Sequence, residues 1–551
     1  MIYPEIPLAQ SIIEICKGHQ LKHIVISPGS RNAPLTIGFT SNPHFKCYSI
    51  ADERSAAFFA LGIAQQLKEP VAVLCTSGSA LLNYYPAIAE AFYSQIPLVI
   101  ISADRPLSKI DIGDGQTIRQ QNVYQNHIVY SANLNEEASI ENDTLINTAL
   151  ETARLKKGPV HINAPFEEPL YNTVKELCVN PILSHSPILP LDIDMAPFVD
   201  TWNTSSKKLV LLGVCEPHLI DEEVLNRFAK DASVVVMTEV TSNMQHANFI
   251  QHIDRFITPF DEDDFKELQP DLLITFGGMV VSKRIKAFLR KYQAPKHWHI
   301  DTLRHYDTYE SLTDKIISTP NRFFTELFKH TTNNSISNYQ EWALKIAAQR
   351  KQAHERYIAT IPFSDMEVFD YIFKNIPKNI LLQISNSASI RYAQLFDLDS
   401  SLDVFCNRGT SGIDGSTSTA IGAATTTSKQ SILITGDISF FYDNNALWNN
   451  YIPTNFKIII LNNQGGGIFR ILPGHQENQT FNTYFETEHK LTAAHLASMH
   501  QLDYYQVDNL ETLKATFNVF LTTNDKPAIL EIHTPTKIND AVLKEYFKNL
   551  N

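Results

Sequence analysis

Short apolar runs recur along the chain, each closed by small or polar residues and followed by a stretch with helical spacing. In a first region, 1–180, the runs His23–Ser27, Lys46–Ile50, Val71–Cys75 and Pro97–Ser102 predict strands. Leu8–Lys17, Asn32–Phe39 and the alanine-rich Ala56–Leu67 predict helices between them. A middle region, 185–340, repeats the pattern at Lys208–Gly213, Ser233–Thr238, Asp271–Phe276 and His297–Asp301. A last region, 360–551, does so again at Asn379–Ile384, Asp403–Phe405, Ser431–Thr435, Phe456–Leu461 and Pro527–Ile532. Short strands alternating with helices of about a dozen residues specify parallel sheets with helices on both faces. The expected fold class is therefore α/β, with three doubly wound parallel-sheet domains. A proline-rich link from Pro181 to Pro190 separates the first two regions, and the polar stretch Thr331–Tyr339 leads towards the third.

The outer regions echo one another. CTSGSALLNYYPAIAEAFYSQIPLVIIS and ITGDISFFYDNNALWNNYIPTNFKIIILNN both run strand, small-residue turn, helix, proline, strand. Two related sheet domains flanking a third is the architecture this implies.

Composition narrows the setting. The formal charge of −13 over 551 residues argues against general nucleic-acid or membrane-surface binding, though not against a local basic pocket. Six scattered cysteines, with no C-x-x-C pair, form neither a disulfide frame nor a zinc site. Apolar runs such as Lys457–Leu461 and Pro97–Ile101 fall far short of the roughly 20 residues that span a bilayer. With no signal-peptide layout at the N-terminus, the expected location is cytoplasmic.

Candidate chemistry concentrates at Gly436–Gly467. Asp437 follows one apolar run and Asn462-Asn463 closes the next, before three glycines. In a right-handed β-α-β unit both ends fall on the carboxyl edge of the sheet, where such folds bind ligands. An Asp, an Asn amide oxygen and a loop carbonyl make a hard oxygen site suited to Mg²⁺. The glycines let backbone N–H groups close on a diphosphate. A Gly-Asp turn alone is common in α/β proteins; the paired asparagines and the glycine loop give it meaning.

That constellation resembles the thiamine-diphosphate enzymes. The match narrows through SPGSRNAPL (27–35), ADERSAAFFALGIA (51–64), TSGSA (76–80), ISADRP (101–106), GQTIRQ (115–120), NSASIR (386–391), NRGTSGIDG (407–415) and NNQGGGIF (462–469). Together these resemble the 2-succinyl-5-enolpyruvyl-6-hydroxy-3-cyclohexene-1-carboxylate (SEPHCHC) synthases of menaquinone biosynthesis. The middle region is similar mainly through Ser282-Lys283-Arg284.

The resemblance implies pyrimidine-binding, central and diphosphate-binding domains, and a transferase that decarboxylates 2-oxoglutarate. The remaining succinyl carbanion adds to isochorismate in a 1,4 sense, giving SEPHCHC and CO₂. It implies thiamine diphosphate with Mg²⁺ or Mn²⁺, and a homo-oligomer with sites at the dimer interface, a tetramer by family habit. Glu53 becomes the carboxyl that bonds the pyrimidine ring nitrogen. Its position at the start of an apolar helix suits a buried, tuned acid, although an acidic pair at a helix start also complements the helix dipole. Asp437, Asn463 and the Gly465 carbonyl become metal ligands, with Gly436 and Ser439 beside the diphosphate. Ile413 becomes the apolar wedge beneath the cofactor, and Ile468 and Phe469 its apolar wall.

The two substrates carry several carboxylates, which arginine geometry fits. The candidates are Arg31, Arg105, Arg284, Arg391 and Arg408, with Ser30, Gln116, Asn386 and Ser387 as hydrogen-bonding neighbours. Arg31, Gln116 and Arg391 join Glu53 as expected catalytic residues. Gly115 stands where the family carries an asparagine before Gln116. The alternative is another thiamine-diphosphate carboligase or decarboxylase such as an acetolactate synthase. Such enzymes take mono-anionic or apolar acceptors and need fewer arginines. A non-catalytic relative would have lost Glu53, Asp437 or Asn463, and an oxidoreductase reading lacks a glycine fingerprint.

Overall fold

The computed structural model describes residues 2–185, 193–332, 337–471, 474 and 476–550. The second half of the proline-rich link and the middle of the Thr331–Tyr339 stretch lie outside the described residues.

Three six-stranded parallel sheets carry the chain. The first is built from β1 (His23–Ile26), β2 (Lys46–Ser49), β3 (Val71–Cys75), β4 (Leu98–Asp104), β5 (Tyr130–Asn133) and β6 (Val160–Pro165). The middle sheet has β7 (Lys208–Leu212), β8 (Val234–Met237), β9 (Phe249–Ile250), β10 (Leu272–Phe276), β11 (Lys296–Ile300) and β12 (Asp314–Ile316). The last has β13 (Leu381–Ile384), β14 (Asp403–Phe405), β15 (Ser431–Gly436), β16 (Phe456–Asn462), β17 (Asp503–Val507) and β18 (Ala528–His533).

The strand orders reveal the relation between the domains. The first sheet runs β2-β1-β3-β4-β6-β5, and the last repeats it as β14-β13-β15-β16-β18-β17. The middle sheet runs β9-β8-β7-β10-β11-β12, the order of dinucleotide-binding folds. The echo between the outer regions is therefore topological. Central strands such as Val71–Cys75 and Phe456–Asn462 are buried along their length, as strands covered on both faces must be.

Several strands escape the apolar-run pattern. Val160–Pro165 lies inside the first sheet yet reads VHINAP. Its polar members are paired within the core: His161 Nε2 lies 2.7 Å from Ser102 Oγ, and Asn163 Oδ1 accepts from Gln120 Nε2 at 2.8 Å. Burial pushes the His161 imidazole down to about 3, so it stays neutral. Tyr130–Asn133 and Asp503–Val507 are edge strands, partly exposed and so only weakly apolar.

The first and last domains share one core. The helix Glu53–Leu67 crosses the helix Ser416–Ala424, burying Phe58, Phe59, Ala420 and Ile421 in a common cluster. Backbones touch at the crossing. A Cβ at Gly62 would sit 2.1 Å from the Thr419 carbonyl, and one at Gly422 would sit 2.0 Å from that of Phe59. The middle domain is tied to the last through Asn243, whose side chain donates to Val404 O at 2.9 Å and accepts from Val404 N at 2.8 Å. This covers the edge strand β14. All six cysteines are free thiols, and no described helix is long and apolar enough to cross a membrane.

Candidate active site

In each outer sheet the chain reverses its direction of winding between the first and third strands. Loops leaving those strands flank a crevice at the carboxyl edge, the usual ligand position in open α/β sheets. In the last sheet these loops are Ser385-Asn386-Ser387, after β13, and Asp437, after β15. In the first they are Ser27–Arg31, after β1, and Thr76–Ser79, after β3, joined by Arg31 N donating to Thr76 Oγ1 at 3.3 Å.

The last sheet brings Asp437 and Asn463 to one edge, because β15 and β16 are neighbours in register, Gly436 opposite Leu461. Asp437 opens a short helix and is buried; its Oδ2 accepts from Gly465 N at 3.0 Å. Asn463 Nδ2 donates to Asp365 Oδ2 at 3.0 Å, which leaves the opposite amide oxygen, Oδ1, buried without a partner. An orphaned acceptor costs about 1–3 kcal/mol unless something fills it, and a divalent cation would do so. The Gly465 carbonyl accepts from Gly467 N at 3.0 Å and keeps a second lone pair. In front of Gly436 a Cβ would meet only Ser389 Oγ, at 4.0 Å, so the chain leaves room there. These donors fit a hard cation bridging to a diphosphate.

Two supports were not legible in the sequence. Asp365, fully buried and pushed up to about 6 by burial, holds Asn463 from 98 positions away. His489 places Nε2 3.2 Å from Asp437 Oδ2. Neither carries a motif; each becomes visible only when the chain folds.

Ile413 is half-exposed, although an isolated isoleucine is usually core. Its backbone carbonyl accepts from Ser439 Oγ at 2.7 Å, so Ser439 positions the Ile413 loop. Ile468 and Phe469 are also half-buried, on the turn that follows the glycines.

Glu53 begins its helix with its carboxyl half-buried. Desolvation raises its pKa, with a smaller contribution from Asp52, while its own backbone and Asn83 act the other way. Its flanking residues reach the last domain: Arg54 Nη2 donates to Tyr442 O at 2.7 Å and Asn445 Nδ2 to Asp52 Oδ2 at 2.7 Å. Among the described residues no hydrogen bond or ion pair joins Glu53 itself to Asp437 or Asn463.

The arginines fall into two sets. In the first domain Arg31 is buried, donating to Phe166 O at 2.9 Å and to Glu168 Oε1 at 3.1 Å. Its Nε and that of Arg105 are buried without partners. Ser30 and Gln116 are exposed nearby on the same edge, Gln116 at φ +55°. Gln120, the last residue of the GQTIRQ stretch, accepts from Gly78 N at 2.9 Å and donates to Ala103 O at 3.2 Å, tying the loop after β3 to β4.

The second set lies where the last domain meets the middle one. Arg408 Nη1 donates to Asn386 Oδ1 at 2.7 Å, and Asn386 donates on to Gly412 O at 2.7 Å. Ser387 adopts φ +69°, ψ −125°, a strained conformation for a non-glycine residue, such as tends to occur at functional sites. Arg391 has its pKa lowered by burial and then by Arg408, with Asp254 and Glu239 opposing. Glu239 is buried, accepts from Val281 N and Ser282 N at 2.6 and 2.7 Å, and is pushed up to about 7 by desolvation. Arg284 is exposed, its guanidinium 4.8 Å over the Phe547 ring. No described hydrogen bond or ion pair joins the two sets.

Three family models cover these domains in order. The N-terminal thiamine pyrophosphate binding domain matches residues 6–131, the middle domain of thiamine pyrophosphate enzymes 192–384, and the C-terminal thiamine pyrophosphate binding domain 387–532. Fold and site together have the form of a thiamine-diphosphate enzyme. The chain is 63% identical to the SEPHCHC synthase of Flavobacterium psychrophilum, with 100% of both chains covered, and 62% identical to that of Flavobacterium johnsoniae, again over 100% of both. It is 36% identical to the SEPHCHC synthase of Bacteroides thetaiotaomicron, with 98% of each covered. The chain belongs to the SEPHCHC synthase family.

Proposed function

We propose that this chain decarboxylates 2-oxoglutarate and adds the remaining succinyl unit to isochorismate in a 1,4 sense, yielding SEPHCHC and CO₂. Bound thiamine diphosphate would supply the electron sink for losing CO₂ and for the new carbon–carbon bond. Asp437, Asn463 Oδ1 and the Gly465 carbonyl would hold Mg²⁺ or Mn²⁺, both of which accept this oxygen set. Gly436 leaves space for the diphosphate, and Ser439 keeps Ile413 in place as an apolar prop.

Glu53, its carboxyl pKa raised by burial, would accept the contact with the pyrimidine ring nitrogen of the bound cofactor. Ile468 and Phe469 exclude water from the reacting face. Arg31, Arg105 and Gln116 with Ser30 form one anion-holding set; Arg284, Arg391 and Arg408 with Asn386 and Ser387 form the other. Each set orients carboxylates and limits where the reacting carbons sit. The family resemblance supports a second copy completing each site, with Glu53 from one chain and the metal end from the other, so that the working unit is a dimer and the assembly a dimer of dimers. The functional division is 1–180 for the pyrimidine, 185–340 as the central domain and 360–551 for the diphosphate and metal.

The observation that carries this reading is the orphaned Asn463 Oδ1 beside Asp437 at the sheet edge. The test mixes the protein with thiamine diphosphate, Mg²⁺, 2-oxoglutarate and isochorismate and follows isochorismate. Its consumption, dependent on all components, is expected. No consumption, with CO₂ or acetoin-like products formed from other 2-oxo acids, would overturn the reading in favour of an acetolactate-type enzyme.

A further inference from the structure

A second convergence of ligand atoms lies outside the active site, where the link towards the middle domain leaves the first. His19, just past the helix Pro7–Gly18, and Glu151, on the helix Ile140–Lys156, are both nearly buried; His185, on the link, is exposed. His19 Nδ1 lies 3.3 Å and His185 Nδ1 3.6 Å from the same Glu151 Oε1. One ligand atom from each of the three falls within 4.8 Å of the others.

The hydrogen bonds around His19 decide what its ring can do. Asn147 Nδ2 donates to Asp143 O and Ile182 O, so its amide orientation is fixed and Oδ1 is an acceptor. His19 Nε2 stands 2.7 Å from that Oδ1 and must therefore carry the proton. In the neutral ring, Nδ1 then presents a lone pair straight at a carboxylate oxygen. The imidazole nitrogen and the carboxylate oxygen thus face one another, with Arg154 Nε also 3.3 Å from that oxygen.

The link is built to bring the third ligand. Ile182 N donates to Asp143 Oδ2 at 3.1 Å and Ser184 N to Asn147 Oδ1 at 3.0 Å, which sets His185 beside the pair. Gly18 admits it: a Cβ there would meet Leu183 at 2.5 Å.

We propose that His19, Glu151 and His185 form a binding site for a divalent transition-metal cation, with Zn²⁺ the best match. Two imidazoles and a carboxylate are borderline donors that suit zinc better than Mg²⁺. Bonds of about 2.1 Å at tetrahedral angles put ligand atoms about 3.4 Å apart, close to both measured contacts. The His19–Asn147 bond is the outer-shell contact that metal-binding histidines usually make, and Arg154 Nη2, 2.8 Å from Glu151 Oε2, plays that part for the carboxylate. The exposed His185 ring closes the site by a small rotation, and water takes the fourth position. The bound ion pins the start of the link to two helices of the first domain.

The test titrates metal-stripped protein with Co²⁺, and separately with Zn²⁺, in excess Mg²⁺ and thiamine diphosphate. We expect one equivalent of Co²⁺ with the intense visible bands of a tetrahedral site, displaced by Zn²⁺. His185→Ala, which alters an exposed side chain, and His19→Ala should each weaken uptake by more than the 10–100-fold typical of a lost supporting contact. Asp437→Ala should retain the bands, which separates this site from the diphosphate metal. Absence of tetrahedral bands, or bands unchanged in both histidine variants, would overturn the proposal.

Discussion

The first and last sheets share one strand order, yet equivalent strand ends carry different chemistry. The first edge presents cations directly: Arg31 follows β1 and Arg105 follows β4. At matching strand ends, β3 is followed by Thr76 where β15 is followed by Asp437, and β4 by Arg105 where β16 is followed by Asn463, while the last domain keeps an arginine of its own, Arg408, after β14. Guanidinium groups suit planar carboxylates, while a hard divalent ion suits a diphosphate. On the proposed reading, one scaffold offers guanidinium groups at both edges and a metal site at one. The difference lies in a handful of residues just past the strand ends.

The comparison breaks most severely at Glu53. Glu53→Gln should lower turnover by about 10²–10⁴-fold, the usual reach of a positioned acid or base, while leaving thiamine diphosphate affinity nearly unchanged. Steady-state rates with a cofactor-binding titration check this; a variant at near-normal rate would remove Glu53 from its role. Next come the arginines. Arg105→Lys or Arg408→Lys should cost about 1.5–3 kcal/mol of charge-assisted bonding, about 10–100-fold in kcat/KM for a substrate, without weakening the cofactor. If cofactor affinity fell instead, the assignment of these arginines to substrate would fail.

A third change attacks the joint between the two domains. Gly422→Val pushes a side chain into the Phe59 carbonyl and should destabilise by about 1–3 kcal/mol or more, read as a lower Tm. A further effect is in pH dependence, where two buried groups, one in each outer domain, should slope oppositely. His161, held down to about 3, contributes stability above its unfolded value near 6.5 and loses it as pH falls towards 3. Asp443, which accepts from Ser418 N at 2.7 Å, is pushed up to about 7 by burial. Its contribution is full below about 4 and is lost as pH rises through 7. Tm measured against pH should therefore lose part of its acid slope in His161→Gln and part of its neutral-to-alkaline slope in Asp443→Asn.

Local signals carried much of this into the sequence. Buried parallel strands read as unbroken apolar runs, and the residues just past them are where such folds place chemistry. That is why Asp437, Asn463 and Arg31 stood out, and why the two outer regions looked related. Signals failed where a partner is distant along the chain. VHINAP conceals a core strand because His161 Nε2 and Asn163 find their partners, Ser102 and Gln120, far along the chain. Asp365 and His489 come beside Asn463 and Asp437 only after folding brings them there. The sorting of the arginines into two sets also needed the structure, since all sit beside motifs of similar appearance.

The claim on which the rest depends is that each working site takes Glu53 from one copy and Asp437 from another. Two differently tagged chains, Glu53→Gln and Asp437→Ala, each inactive alone, are co-expressed and the assay is run on the mixed population. Random pairing should restore about a quarter of the wild-type sites, because each mixed dimer rebuilds one intact site and ruins the other. Activity no higher than that of the separate variants, in preparations shown to contain mixed dimers, would contradict the account.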